Sequence, residues 1–210
     1  MTEVMDQVTS IVIDSNAEID NVRYIDAAES WFRSHGLQIG NNLDELKTDK
    51  DVVVIWNANR LTVEEKRRAD VVRRFVAAGG RVVVLGTRHW DWSALCDVKA
   101  GEVRGSRAFP YEKVKHPMLS GIRPEWLIRW NGLPDTVAVA NLEGPGVEAA
   151  EKILWVRDPG TCVAAEIPIT GDRGTILFSQ LDVQRHVNSS ELAYDPVAER
   201  ILINMLKQTD

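Results

Sequence analysis

Residues 51–87 read DVVVIWNANRLTVEEKRRADVVRRFVAAGGRVVVLGT, and their reading decides the fold. Val52-Val53-Val54-Ile55 and Val82-Val83-Val84-Leu85 are apolar at every position. A strand without polar alternation needs both faces covered, as in a parallel sheet flanked by helices rather than a half-wetted antiparallel one. Between the two runs, Thr62 followed by Glu65 has capping-box spacing. Each side chain can then satisfy an orphan amide of the first helical turn. Ala69, Val72, Phe75 and Val76 form an inward stripe, and Gly79-Gly80 permits a left-handed exit. The stretch therefore predicts strand Asp51–Asn57, helix Thr62–Gly80 and strand Arg81–Thr87, a βαβ unit of the usual right hand.

The same rhythm continues upstream. Ser10 to Asp14 carries Ile11, Val12 and Ile13, a first strand, and Tyr24 to His35 places Ile25, Ala28 and Phe32 on one helical face that stops at Gly36. Downstream the rhythm changes. Residues 98–135 are rich in Gly and Pro and read as loop, while Thr136–Ala140, Ile153–Val156 and Thr161–Ile167 read as strands. Gly171-Asp172-Arg173-Gly174 is a turn joining the 161–169 run to Thr175–Leu181, a β-hairpin. Asp195-Pro196 caps a final helix whose inward face is Val197, Ile201, Leu202, Met205 and Leu206. The expectation is one α/β domain over residues 1–210. It is a flavodoxin-like three-layer sandwich with a mostly parallel central sheet and a late β-hairpin.

Composition narrows the function classes. Hydrophobic residues are 44% and charged residues 27% of 210, enough for a sizeable core. With 25 Lys and Arg against 31 Asp and Glu, the formal charge is −6. A nucleic-acid partner is not expected, because the basic field that supplies such affinity is missing. No apolar run is long enough for a membrane helix, and the N-terminus lacks the pattern of a secretory signal, so the expected setting is cytoplasmic, with no membrane partner. Two cysteines, Cys96 and Cys162, are too few for a disulfide scaffold or a four-cysteine zinc site.

Ligands of open parallel sheets sit at the carboxyl ends of the strands. Here those ends read Asp14-Ser15-Asn16, Trp56-Asn57-Ala58-Asn59 and Gly86-Thr87-Arg88-His89-Trp90. No phosphate-binding glycine loop follows any strand, so no nucleotide or other cofactor is expected. His89, His116 and His186 lie far apart in sequence and suggest no metal site. His116, before Pro117, reads as a turn or packing residue. The turn after Arg81–Thr87 has neither serine nor cysteine at its apex, and Cys96 and Cys162 read as small apolar packing residues. Among seven tryptophans, Trp31, Trp126, Trp130 and Trp155 read as packing residues, while Trp56, Trp90 and Trp92 are cleft candidates.

Four segments carry a family resemblance: Phe75-Val76-Ala77-Ala78-Gly79-Gly80-Arg81-Val82-Val83-Val84, His116-Pro117-Met118-Leu119-Ser120-Gly121-Ile122, Phe178-Ser179-Gln180-Leu181-Asp182 and Asp195-Pro196-Val197-Ala198-Glu199-Arg200. Over residues 10–207 the chain resembles the class I glutamine amidotransferase-like fold. It looks closest to the non-catalytic branch attached to bacterial glycoside hydrolases, including β-galactosidase trimerisation-type domains. Active members carry a cysteine at the strand–helix elbow and a His-Pro-Glu segment after a late strand. The elbow falls on Thr87-Arg88-His89 and the second segment on Gln180-Leu181-Asp182. Arginine is no nucleophile and glutamine no base, so the resemblance implies a fold without glutaminase activity. The acidic position, Asp182, is left to hold Arg185 or Arg88 in a salt bridge.

What the resemblance leaves is a pocket for recognition, with Trp56, Asn57, Arg88, His89, Trp90, Gln180 and Asp182 as ligand-binding candidates. A saccharide is the expected ligand, and a homo-oligomer or a glycoside hydrolase the expected partner. Two alternatives stand beside this reading. One is a hydrolase rebuilt around Arg88, His89 and Asp182, with Asp182, His89 or His186 as general base. The other is a small-molecule sensor.

Overall fold

Strands β1 (Ser10–Asp14), β2 (Gln38–Gly40) and β3 (Asp51–Trp56) lead into helix α1 (Val63–Ala77) and strand β4 (Arg81–Leu85). Then come β5 (Lys99–Gly101), β6 (Phe109–Pro110), β7 (Asn141–Glu143), the short helix α2 (Pro145–Glu148), β8 (Glu151–Trp155), β9 (Cys162–Pro168) and β10 (Thr175–Ser179). One helical turn, α3 (Val183–His186), precedes the last helix, α4 (Pro196–Leu206). This computed structural model describes residues 10–14, 30–40, 51–56, 63–86, 96–103, 105, 107–130, 137–169, 174–187 and 192–207. At 10–14, 38–40, 51–56, 63–68 and 184 the description is of backbone only.

Eight strands form one sheet in the order β2-β1-β3-β4-β10-β9-β8-β6, and β5 pairs with β7 in a second, antiparallel one. From β2 to β10 the neighbours are parallel, with Val53 opposite Val82 and Leu177 opposite Val83. From β10 outward every pairing is antiparallel. The α/β class holds, and the sheet is mixed. The late hairpin is β9–β10, with Thr175 opposite Pro168.

The all-apolar run Val82–Leu85 finds the cover that it requires. Val82 and Val84 of β4, with Ile176 and Phe178 of β10, face Val72, Phe75 and Val76 of α1 in one core. The alternate residues Val83, Leu85 and Leu177 join Ala198, Ile201, Leu202, Met205 and Leu206 of α4, together with Trp31 and Phe32, in the other. Each such aliphatic or aromatic side chain taken fully out of water contributes roughly 1.5–3 kcal/mol. A charge at Val83, which is 0% exposed, would break the second core.

The helix ends follow the sequence signals. Gly79 leaves α1 at φ +93, with the Gly80 amide donating to the Phe75 carbonyl at 2.9 Å. At α4 the Asp195 carboxylate accepts from the Val197 amide at 2.9 Å, and Pro196 takes the first helical position. Of the helix expected over Tyr24–His35, residues 30–34 are helical and the earlier part lies outside the described residues, as does Thr62.

The strand expected over Thr136–Ala140 is not one. Residues 137–140 make single bridges through Ala138 to Gly105 and to Leu181. They are buried between two loops, and no continuous ladder lies alongside them. The strand expected to run to Leu181 ends at Ser179; past it the Gln180 amide still donates to the Val163 carbonyl at 2.8 Å, in register with β9, and the Gln180 carbonyl takes the Val139 amide. No described helix is long and apolar enough to cross a membrane.

Candidate functional site

The segment leaving β10 carries three of the sequence-predicted site residues, and all three are buried. Gln180 is 1% exposed, Asp182 6% and His186 1%. Gln180 is tied down through its backbone. Its carbonyl accepts from the Val139 amide at 3.0 Å, and its amide is taken by Val163. Asp182 precedes α3, with Oδ2 3.4 Å from Arg185 Nε. The salt bridge expected of Asp182 is therefore made to Arg185.

His186 donates from Nδ1 to the Ala193 carbonyl at 2.7 Å, which leaves Nε2 as the unprotonated nitrogen of the neutral ring. That Nε2 is buried and makes no hydrogen bond. The ring stands edge-on to Trp130, 5.4 Å between centroids. A base must reach the proton that it removes. Asp182 and His186 as placed have almost no surface with which to do so.

The other candidates lie at the tips of β3 and β4. Trp56 ends β3 opposite Leu85, with only its backbone described. Asn57, Arg88, His89 and Trp90, and with them Trp92, lie outside the described residues. Among the packing tryptophans, Trp31 and Trp130 are buried and Trp155 is half-buried, but Trp126 is 42% exposed. It ends a 3-10 turn, Pro124–Trp126, on the outside of the fold.

Both cysteines are packing residues. Burial, with the Asp97 charge beside it, pushes the Cys96 thiol up to about 12, and burial raises Cys162 to about 11. Thiols held this far above neutrality fit packing rather than an activated nucleophile.

A polar cluster that sequence reasoning missed lies at the opposite end of the parallel strands. His116 Nε2 meets Glu166 Oε2 at 2.6 Å. Thr175 Oγ1 also donates to Glu166, and Arg81 lies close enough for its charge to act on the same carboxylate. Burial alone would raise the Glu166 pKa. The hydrogen bonds from His116 and Thr175, with the charge of Arg81, outweigh it and hold the carboxyl down at about 2. The signal in the sequence was a single glutamate inside the apolar run Cys162-Val163-Ala164-Ala165-Glu166-Ile167. A lone acid there needs a partner.

A cleft of about 600 Å³ opens between α1, α2 and the end of β9, bordered by Arg73, Arg74, Cys96, Asp97, Gly146 and Ile169. None of the expected ligand residues is among the described residues that line it. Among the described residues no group of three or more His, Cys, Asp or Glu is placed to hold a metal ion.

Neither a family model nor a curated sequence relative matches the chain. Solved structures do. A β-galactosidase from Bacillus circulans sp. alkalophilus superposes with a TM-score of 0.55 at 13% identity, over 95% of this chain and 30% of that one. The exo-β-1,4-mannosidase Op5Man5 from Opitutaceae bacterium strain TAV5 gives 0.53 at 12% identity, over 97% of this chain and 37% of that one. A ThuA-like protein from Bacteroides uniformis gives 0.55 at 14% identity, over 95% of this chain and 89% of that one. At these identities the likeness is one of fold. The chain spans about a third of the length of the two glycosidases.

Proposed function

We propose that this chain is a non-catalytic binding or assembly domain of the class I glutamine amidotransferase-like kind, acting beside or within a carbohydrate-active enzyme. The observation that carries the proposal is the burial of Gln180 and Asp182, at 1% and 6% exposure, where an amidotransferase would present its base. A glutamine takes no proton near neutral pH, and Asp182 sits against Arg185. The parallel order β2-β1-β3-β4-β10, with apolar cores on both faces of β4 and β10, supports a flavodoxin-like core, extended here by antiparallel strands. The fold shared with one part of a β-galactosidase and of a mannosidase supports a place beside such enzymes.

The test has two arms. Purified chain is assayed for ammonia release from L-glutamine and for turnover of chromogenic glycosides, esters and amides. Background rates on all, unchanged in Asp182→Ala, are expected. Steady ammonia release would sink the non-catalytic reading, and ester or glycoside turnover lost in Asp182→Ala would install the hydrolase instead. Light scattering after size exclusion then measures assembly. A strictly monomeric chain that binds neither a saccharide nor a glycosidase would end the proposal.

A further inference from the structure

On the outer edge of the large sheet three lines of chain run side by side. Phe109 of β6 lies opposite Trp155 of β8, their rings stacked 4.4 Å apart at 18°. On the other side of β6 the Ala108 amide donates to the Leu127 carbonyl at 2.8 Å, and Arg107 bridges Ile128. That register brings the exposed Trp126 alongside. Two exposed arginines lie over this row: Arg107 Cζ is 4.5 Å from the Phe109 ring centroid, and Arg123 Cζ is 5.2 Å from that of Trp126.

The charge of this region opposes that of the whole. Residues 103–130 carry six Lys or Arg and two Glu in a chain of formal charge −6, so the segment is net +4 and the remainder −10. An arginine held over a ring has its long stem ordered before any ligand arrives. Its N–H edge stays available for a two-pronged bond to a carboxylate. Pre-ordering lowers the entropy lost on binding. Half-buried indole and phenyl surface beside such guanidiniums suits a ligand that is flat, apolar on one face and anionic at intervals.

We propose that the Arg107–Phe109–Trp126 edge is a binding surface for an acidic glycan, a chain bearing uronate carboxylates. The carboxylate half of the inference stands on the charge and the two guanidiniums. The sugar half rests on the reading given under Proposed function.

The test is affinity electrophoresis of the full chain through gels holding polygalacturonate, neutral galactan or poly-glutamate. Retardation by polygalacturonate alone is expected, weakening as ionic strength rises. Trp126→Ala, an exposed site whose variant is checked by thermal melting, should weaken the apparent affinity about tenfold. Arg123→Glu should abolish retardation. No retardation by polygalacturonate, or equal retardation in both folded variants, overturns the proposal. Equal retardation by poly-glutamate also overturns it, in favour of an acidic protein partner. A failure here that leaves oligomers in light scattering removes this surface and not the assembly reading, so the two are told apart.

Discussion

His116 and Glu166, fifty positions apart in sequence, are joined by a 2.6 Å hydrogen bond from Nε2 to Oε2. The other ring nitrogen, Nδ1, accepts the Met118 amide at 3.1 Å, which places the proton of the neutral imidazole on Nε2. The pair is a tie between layers. His116 caps the 3-10 turn Pro117–Leu119, and the carbonyls of Met118 and Ser120 are held by Asn204 of α4. Glu166 lies in β9 and is bonded by Thr175 of β10. A single carboxylate thus links the antiparallel half of the sheet to the loop that seats the last helix.

Glu166→Gln should therefore destabilise the fold by about 3 kcal/mol at pH 7, the equivalent of a carboxyl held from 4.5 down to about 2. The folded carboxyl lies near 2, against an ordinary value of 4.5. Its contribution is fully present above the unfolded value and is lost as pH falls through the folded one. Urea melts of wild type and Glu166→Gln should differ most above pH 4.5 and converge between there and pH 2. A constant difference across that range would refute the assignment.

How much of this was legible in advance differs between the two halves of the sheet. The β3–α1–β4 unit is legible because Val52–Ile55 and Val82–Leu85 each lie within one continuous strand, with the helix between them ended by Gly79-Gly80. The α4 start was equally local, written in Asp195-Pro196. The antiparallel extension was not local. β6 has two residues, and β8 slips register between Lys152 and Trp155, so neither shows a clean period. Val137–Ala140 looks like a strand in sequence yet makes only isolated bridges, since apolar content reports burial and not pairing. His116, read as a turn or packing residue before Pro117, is buried and caps that turn; its bond to Glu166 was not legible, because that partner is reached only through the fold.

Asn204 offers a second test of the same seam. Its Nδ2 donates to the Met118 carbonyl at 3.1 Å and to the Ser120 carbonyl at 2.8 Å, and the residue is 1% exposed. Asn204→Ala leaves both carbonyls without that donor and should cost about 1–3 kcal/mol. Asn204→Asp should cost more at pH 7, because a carboxylate would face two carbonyl oxygens. Part of that loss should return on acidification, as the protonated acid regains one donor. Thermal melts at pH 7 and pH 4 would decide it, and an Asp variant insensitive to pH counts against this geometry.

Gly144 is a backbone requirement that no side chain can meet. It takes φ 109 and ψ 170 ahead of α2, a region essentially reserved for glycine. A Cβ there would also lie 2.5 Å from the Asp97 carbonyl oxygen. That oxygen accepts the Gly146 amide at 3.1 Å, so it is not free to retreat. Gly144→Ala should lose about 1–3 kcal/mol in urea unfolding, the scale for a residue forced into such a conformation. A variant within about 0.5 kcal/mol of wild type, the range of an ordinary surface change, would mean that the turn rearranges without strain.

The two thiols give a direct check on the non-catalytic proposal. Cys96 is raised to about 12 by burial and the neighbouring Asp97 charge, and Cys162 to about 11, mainly by burial. At pH 8 a thiol with such a value is thiolate in roughly one molecule in a thousand or fewer, and it is the thiolate that reacts. Ellman's reagent should therefore find no fast-reacting thiol in the folded chain at pH 7 to 8 and two after denaturation, matching the two cysteines of the sequence. Reactivity should rise only above about pH 11, unless unfolding comes first. One thiol titrating within seconds at pH 7 would identify an activated cysteine. Alkylation that also silenced any measured hydrolysis would then assign it a catalytic role, against the reading of Cys96 and Cys162 as packing residues.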